Sequence, residues 1–332
     1  MNLAKIFQLN LGLNNIFFFS QKNEYANGIV KENNFSLIIT PEDLPIRIEF
    51  LQKKLSELKI DLLIIDIPDV NEELVKKVKT PDSFIMILDT SKDQLIPFVN
   101  IIVNIYPRLS NLESYNIYIY QGFIYWILNS KLSKKKINYT IEETAKTIFI
   151  SLGTTDAKNL TKEICQKLGN VLKDYNIFLV IGQGFRDKDY FKGFCHDHPN
   201  FKYYESPKDI YDLMIKSDIA ISTGGGTMFE LLFIGVPTII IPNSIENYKL
   251  GKLIENEKMV LFSDALNGIN KEIFKNELFK LINNYDLRKE LNKISRTKFS
   301  SNGAEKISEI ISDFLKANID KMTTKRKSKR NV

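Results

Sequence analysis

The chain has 332 residues, 44% of them hydrophobic, and a formal net charge of +6. That length suits two domains rather than one core, and no run of some 18 apolar residues marks a transmembrane helix. The last twelve residues, Lys321 to Val332, carry six basic side chains and no acid. The body is therefore near neutral and has no basic footprint for nucleic-acid binding. The basic segment is expected to be a solvated terminus, with contact to an anionic membrane surface or RNA as the alternative.

The start lacks the basic, apolar and small-residue regions of a secretory signal, so a cytoplasmic protein is expected. Two cysteines, Cys165 and Cys195, form no CxxC pair and are expected to be reduced thiols.

Short apolar runs alternate with amphipathic stretches. Ile16–Ser20, Phe35–Ile39, Leu62–Asp66 and Phe84–Leu88 have the length, β-branching and polar borders of buried strands. Between them, Ile48, Leu51, Leu55 and Leu58 give helical spacing over Arg47–Leu58, and Val75–Val78 suggests a short helix. Residues 131–146 are polar, carry Lys134-Lys135-Lys136 and read as a linker. A second series follows. Strands are expected at Thr147–Leu152, Ile177–Ile181, Asp218–Ser222 and Thr238–Ile241. Helices are expected at Leu160–Leu172, Ile210–Ile215, Lys271–Tyr285 and Ala304–Leu315. Such alternation argues for parallel sheets with helices on both faces. The expected division is an N-terminal Rossmann-like domain over 1–130, the linker, a second Rossmann-like domain over 147–316, and a disordered tail over 317–332.

The most informative stretch is Asp218–Pro242, which reads strand, glycine turn, helix, glycine stop, strand. Gly224, Gly225 and Gly226 stand where a strand hands over to a helix. A helix start exposes unpaired N–H groups and a partial positive charge. Without Cβ atoms, phosphate oxygens can approach that backbone closely. Thr227 adds a hydroxyl that could cap the helix or donate to phosphate. No Gly-Lys-Ser/Thr follows, and Phe229 breaks the GxGxxG pattern. A glycine triplet alone is more often a tight turn than a ligand site; its place in a strand–helix–strand unit raises the ligand reading. Glu230, one turn into the helix, could reach ribose hydroxyls or merely complement the helix dipole. Asn243, Glu246 and Asn247 follow the next strand and could open onto the same crevice.

Ser151–Asn159 is a second strand-to-turn segment. Gly153, Thr154 and Asp156 could line the same site, with Asn159 as the expected N-cap; a plain capping loop competes equally. Cys195, His196 and His198 read as a surface loop, because one short loop gives three donors poor metal geometry. No metal, no cofactor and no Ser/His/Asp constellation are expected.

Asp218–Tyr248 resembles the C-terminal nucleotide-binding domain of GT-B-fold glycosyltransferases, family 28 included. Phe149–Thr161 is similar to the Gly-Gly-Ser/Thr-Asp-x-x-Asn-Leu-Thr pattern of one branch. That branch holds the UDP-sugar hydrolase of pseudaminic acid biosynthesis and the spore-coat polysaccharide protein SpsG. Gly122–Leu128 and Leu62–Asp66 resemble further segments of the branch. The resemblance runs from about Met1 to Asn256 and is specific in the C-terminal half only. It implies two Rossmann-like domains facing a cleft, with a UDP-sugar as ligand. Gly224–Thr227 would hold the diphosphate, Glu230 the ribose, and Asn247 would face the sugar.

Three departures stand out. The branch's first strand, with its GxGHxxR loop and catalytic histidine, is missing, so the first domain is expected to lack a mid-sheet strand and to carry unpaired edges. Either the true start lies upstream or the chain is a degenerate paralogue. Ile67-Pro68 replaces the branch's His-Tyr, and Tyr248 stands where Gln is usual. The catalytic residue is therefore unassigned. The expected function is hydrolysis or transfer of a UDP-sugar in surface-glycan synthesis, such as nonulosonic acid or spore-coat polysaccharide. The alternative is a non-catalytic nucleotide-sugar-binding protein or partner subunit.

Overall fold

A computed structural model describes residues 1–67, 70–88, 96–105 and 117–328. The chain divides into two compact units, residues 1–130 with 302–332, and residues 131–301.

The first unit opens with α1 (Asn2–Leu11), β1 (Phe17–Ser20), α2 (Glu24–Glu32), β2 (Ser36–Ile39), α3 (Leu44–Glu57), β3 (Leu62–Ile65) and α4 (Glu72–Val78). It continues with β4 (Phe84–Leu88), β5 (Ile101–Asn104), β6 (Tyr118–Gln121) and a 3-10 turn at Phe123–Tyr125. Side-chain caps start the helices: Asn23 accepts from Ala26, Asp43 from Ile46 and Asn71 from Leu74. All strand pairs are parallel, but they form two sheets, β1–β2 and β3–β4–β5–β6. Among the described residues, β1 and β3 each pair on one side only. Alternate residues of β4 and β5 feed opposite faces. Ile85, Ile87 and Ile102 pack with Leu55 and Val75, whereas Met86, Leu88, Ile101 and Val103 pack with Leu3 and Phe7 of α1.

The second unit takes α5 (Ser130–Ser133) across its boundary, then β7 (Thr147–Ser151), α6 (Leu160–Leu168), β8 (Asn176–Ile181), α7 (Lys188–Asp197) and β9 (Phe201–Glu205). There follow α8 (Ile210–Ile215), β10 (Ile219–Ser222), α9 (Gly226–Ile234), β11 (Thr238–Ile240), α10 (Ile245–Asn256), β12 (Leu261–Phe262), α11 (Lys271–Asn283) and α12 (Tyr285–Lys298). Its six strands form one parallel sheet in the order β12-β11-β10-β7-β8-β9. Central strands covered on both faces need unbroken apolar runs. Every residue of β10 and β11 is accordingly buried. Helix α9 is apolar nearly all round and is buried, with Met228, Phe229, Leu231, Leu232 and Ile234 inside.

The structure places two boundaries differently from the sequence reading. Residues 131–146 pack on the second unit instead of hanging between units: the Tyr139 hydroxyl donates to the Ser217 carbonyl at 2.9 Å, and the Lys146 and Thr147 amides donate to Asp218 Oδ2. The last helix, α13 (Gly303–Ser328), returns to the first unit. Its Ala304, Ile307 and Ile311 cover the face formed by Met86, Ile101 and Val103, which needs that apolar partner. The segment 317–328, expected to be disordered, continues this helix; residues 329–332 lie outside the described residues. Among the described residues no helix is long and apolar enough to cross a membrane.

Candidate functional site

In the second sheet, β8 and β9 extend from β7 on one side, and β10, β11 and β12 lie on the other. The strand order therefore reverses between β7 and β10. In open parallel sheets a crevice opens at the carboxyl ends of the two strands flanking such a reversal. Two of the sequence-nominated turns meet there. Ser222 Oγ donates to the Ser151 carbonyl at 3.1 Å, which ties the two strand ends together. A Cβ built on Gly153 would find Thr223 Oγ1 at 4.0 Å as its nearest neighbour. Gly153 itself sits at φ +90°, a left-handed conformation that favours glycine.

The start of α9 follows the carboxyl end of β10 and so lies at this edge of the sheet. Gly225 is the N-cap residue and supplies no side-chain hydrogen bond, and the first turn carries no acid. The Met228 amide bonds back to the Gly225 carbonyl at 3.0 Å, whereas the Gly226 and Thr227 amides have no partner among the described residues. Gly226 is exposed, and Gly225 and Thr227 are half-buried. The helix dipole adds about half a positive charge at this point.

The three glycines of the turn differ in what they answer to. A Cβ on Gly224 would lie 2.6 Å from the Asn247 carbonyl oxygen and 3.1 Å from its Cα, so packing against α10 demands glycine there. A Cβ on Gly226 would meet nothing within 4 Å, and one on Gly225 only Thr223 Oγ1 at 3.7 Å. Gly225 has φ −99° and ψ −163°, extended backbone open to any residue. Neither position needs glycine for the fold. Without Cβ atoms at these two positions, the backbone at the start of α9 is open to close approach by an external group.

The Asn247 backbone lies against Gly224, and its side chain is engaged within α10 and the turn before it. Its Nδ2 donates to Asn243 Oδ1 at 2.6 Å and its amide to Ser244 Oγ at 3.2 Å, which caps α10. Glu230 is half-buried, and its Oε1 accepts from the Tyr211 hydroxyl at 2.9 Å. Burial pushes the Glu230 carboxyl above its ordinary value, and the Tyr211 bond opposes that. Thr154 is exposed, and its carbonyl accepts from Gly184 at 3.0 Å, fixing the loop after β7 to the loop after β8.

Asp156 corrects the sequence reading. It is buried, and both oxygens are spent on the start of α6: Oδ1 accepts from Leu160 at 3.0 Å and Oδ2 from Thr161 at 2.7 Å. Both of its oxygens thus hold the loop to the start of α6. Asn159, the expected N-cap, adopts φ 55° and makes no side-chain cap. Cys195 and His196 lie on α7, not in a loop, and His198 ends that helix with its ring stacked on Phe194 at 4.0 Å. Among the described residues no cluster of three metal-ligating side chains occurs. Tyr248 packs edge-on against Phe262 at 5.2 Å. Pro68 lies outside the described residues. Tyr211 went unnoticed in the sequence, because one tyrosine in a short helix carries no spacing signal.

Comparison with known proteins gives the family and the fold. The model of the glycosyltransferase family 28 C-terminal domain matches residues 147–313. The spore coat polysaccharide biosynthesis protein SpsG of Bacillus subtilis is 25% identical over 303 residues, covering 90% of this chain and 89% of the relative. The crystal structure of Acinetobacter baumannii MurG superposes with a TM-score of 0.69 at 14% identity, covering 94% of each chain. The UDP-GlcNAc 2-epimerase of Neisseria meningitidis, bound to UDP-GlcNAc, superposes at 0.63 with 14% identity, covering 94% of this chain and 96% of that one. The fold is GT-B, and the chain belongs to the glycosyltransferase family 28 C-terminal domain family.

Proposed function

From that membership, we propose that the chain acts on a UDP-sugar in the synthesis of a surface polysaccharide, with the diphosphate held at the start of α9. The observation that carries this reading is the pair of amides at Gly226 and Thr227 without a partner among the described residues, at a turn where a Cβ on Gly225 or Gly226 would meet no clash. Amides fixed at a helix start stabilise negative charge without reorganising, which suits both a bound diphosphate and a departing one. Glu230, one turn further along α9, would take the ribose, and Asn247 would flank the sugar side. Gly153 and Thr154 would form the opposite wall, at the end of β7. The link to polysaccharide synthesis rests on the similarity to SpsG, and the uridine nucleotide on the UDP-GlcNAc held by the epimerase of like fold.

The two histidines of the chain lie away from the proposed site. His196 and His198 lie at the carboxyl end of α7, immediately before β9 begins at Phe201. In a parallel α/β sheet that is the edge opposite the site. Neither is placed to be the base that activates water in hydrolysis or an acceptor hydroxyl in transfer.

Calorimetric titration with UDP tests the site. The wild-type protein should bind UDP, and Gly226→Val should weaken binding at least about tenfold, the effect of losing one charge-assisted hydrogen bond. Absence of binding by the wild type, or equal affinities, contradicts the proposal. Release of UDP from UDP-GlcNAc, with and without a glycan acceptor, separates hydrolysis from transfer.

A further inference from the structure

Resting on the reading just given, we infer that Tyr211 is a positioning residue that fixes Glu230 as the acceptor for the ribose hydroxyls of a nucleoside diphosphate docked on α9. Glu230 stands one turn beyond Gly226, so both lie on one face of the helix. A glutamate side chain near a helix start has several rotatable bonds and loses its aim unless it is anchored. The anchor is the hydroxyl of Tyr211, 2.9 Å from Oε1, and among the described residues it is the one hydrogen-bond partner of this carboxylate. One oxygen is thus held by the protein, and the other remains to accept from a ligand.

The anchor is itself fixed. Tyr211 is 7% exposed. Asp209 caps α8 through the Asp212 amide at 3.3 Å, and Lys135 bridges Asp209 and Asp212 at 3.2 and 2.6 Å. Burial, with the neighbouring Glu230 charge, pushes the Tyr211 hydroxyl up, which keeps it a donor. A tyrosine donating to a carboxylate favours the charged form that a sugar hydroxyl would meet. The competing role is a strut between α8 and α9 with no part in binding.

The experiment compares UDP with 2′,3′-dideoxy-UDP by calorimetry, using wild type, Tyr211→Phe, Glu230→Ala and the double variant. Tyr211→Phe removes one oxygen and keeps the buried ring, and thermal unfolding checks that it folds. The wild type should prefer UDP roughly tenfold, as a hydrogen bond to a charged acceptor implies. Tyr211→Phe should reduce that preference to about threefold or less while leaving the dideoxy analogue's affinity unchanged. Glu230→Ala should abolish the preference, and adding Tyr211→Phe should then change nothing. If Tyr211→Phe keeps the full preference, or weakens both ligands alike, the positioning role is overturned while UDP binding stands. A wild type that binds both ligands equally also overturns it. A wild type that binds neither removes this inference together with the proposed function.

Discussion

Adding carbon at two neighbouring glycines after β10 separates packing from binding. At Gly224 a single methyl group suffices: Gly224→Ala places a Cβ 2.6 Å from the Asn247 carbonyl oxygen and 3.2 Å from its carbonyl carbon. These are backbone atoms of α10, so the helix must move. Overpacking of this kind costs about 1–3 kcal/mol, which for a domain of this size lowers Tm by roughly 2–12 °C. At Gly226 a larger change is harmless to the fold. Gly226→Val extends into open space at the first position of α9, and valine is slightly better than glycine in a helix, so stability should stay within about 0.5 kcal/mol. UDP affinity should behave in the opposite way at Gly226, falling at least about tenfold in a protein of unchanged Tm. Differential scanning calorimetry and UDP titration on both variants give the answer. A Gly224→Ala protein that melts with the wild type refutes the packing argument. A Gly226→Val protein that is stable and binds UDP normally refutes the argument from unneeded glycines.

Three further outcomes follow from single groups. Asp156→Ala removes both side-chain bonds to the start of α6 and should cost about 1–2 kcal/mol, read as a lower urea midpoint; an unchanged midpoint would return Asp156 to the ligand-binding set. Arg288 is 1% exposed and donates to the carbonyls of Leu281, Ile282, Glu142 and Glu143, so Arg288→Met should destabilise by about 3 kcal/mol or more and loosen the 131–146 segment to proteolysis. Glu230 has a raised native pKa, so between its ordinary value near 4.5 and that raised value the folded state holds a proton the unfolded state has released. Stability contributed by this group therefore falls as pH rises through that window. Glu230→Gln should be at least as stable as wild type at pH 7 in urea unfolding, and the two should converge below pH 4.5; a less stable Gln variant at pH 7 contradicts the burial cost.

The βα rhythm and the turn at Gly224–Thr227 were legible because both leave local marks: unbroken apolar runs for buried parallel strands, and glycines at a strand-to-helix junction. The return of α13 to the first unit was not. Ala304, Ile307 and Ile311 announce an apolar face, but no local pattern says which sheet it covers. The short strands Ile101–Asn104 and Tyr118–Gln121 sit among stretches without a strong period and gain their strand state from pairing with β4 and with each other. Asp156 misled because a carboxylate in a Gly/Thr-rich turn looks alike whether it binds a ligand or holds a helix; only its burial and the two backbone donors decide. The unequal roles of Gly224 and Gly226 rest on the position of Asn247, some twenty residues away in sequence, and no spacing rule contains that.

The most direct measurement is a crystal structure of the protein soaked with UDP. The account predicts diphosphate oxygens about 3 Å from the amide nitrogens of Gly226 and Thr227, with the ribose hydroxyls at Glu230. UDP bound elsewhere on the second unit, with those two amides still facing water, would contradict it.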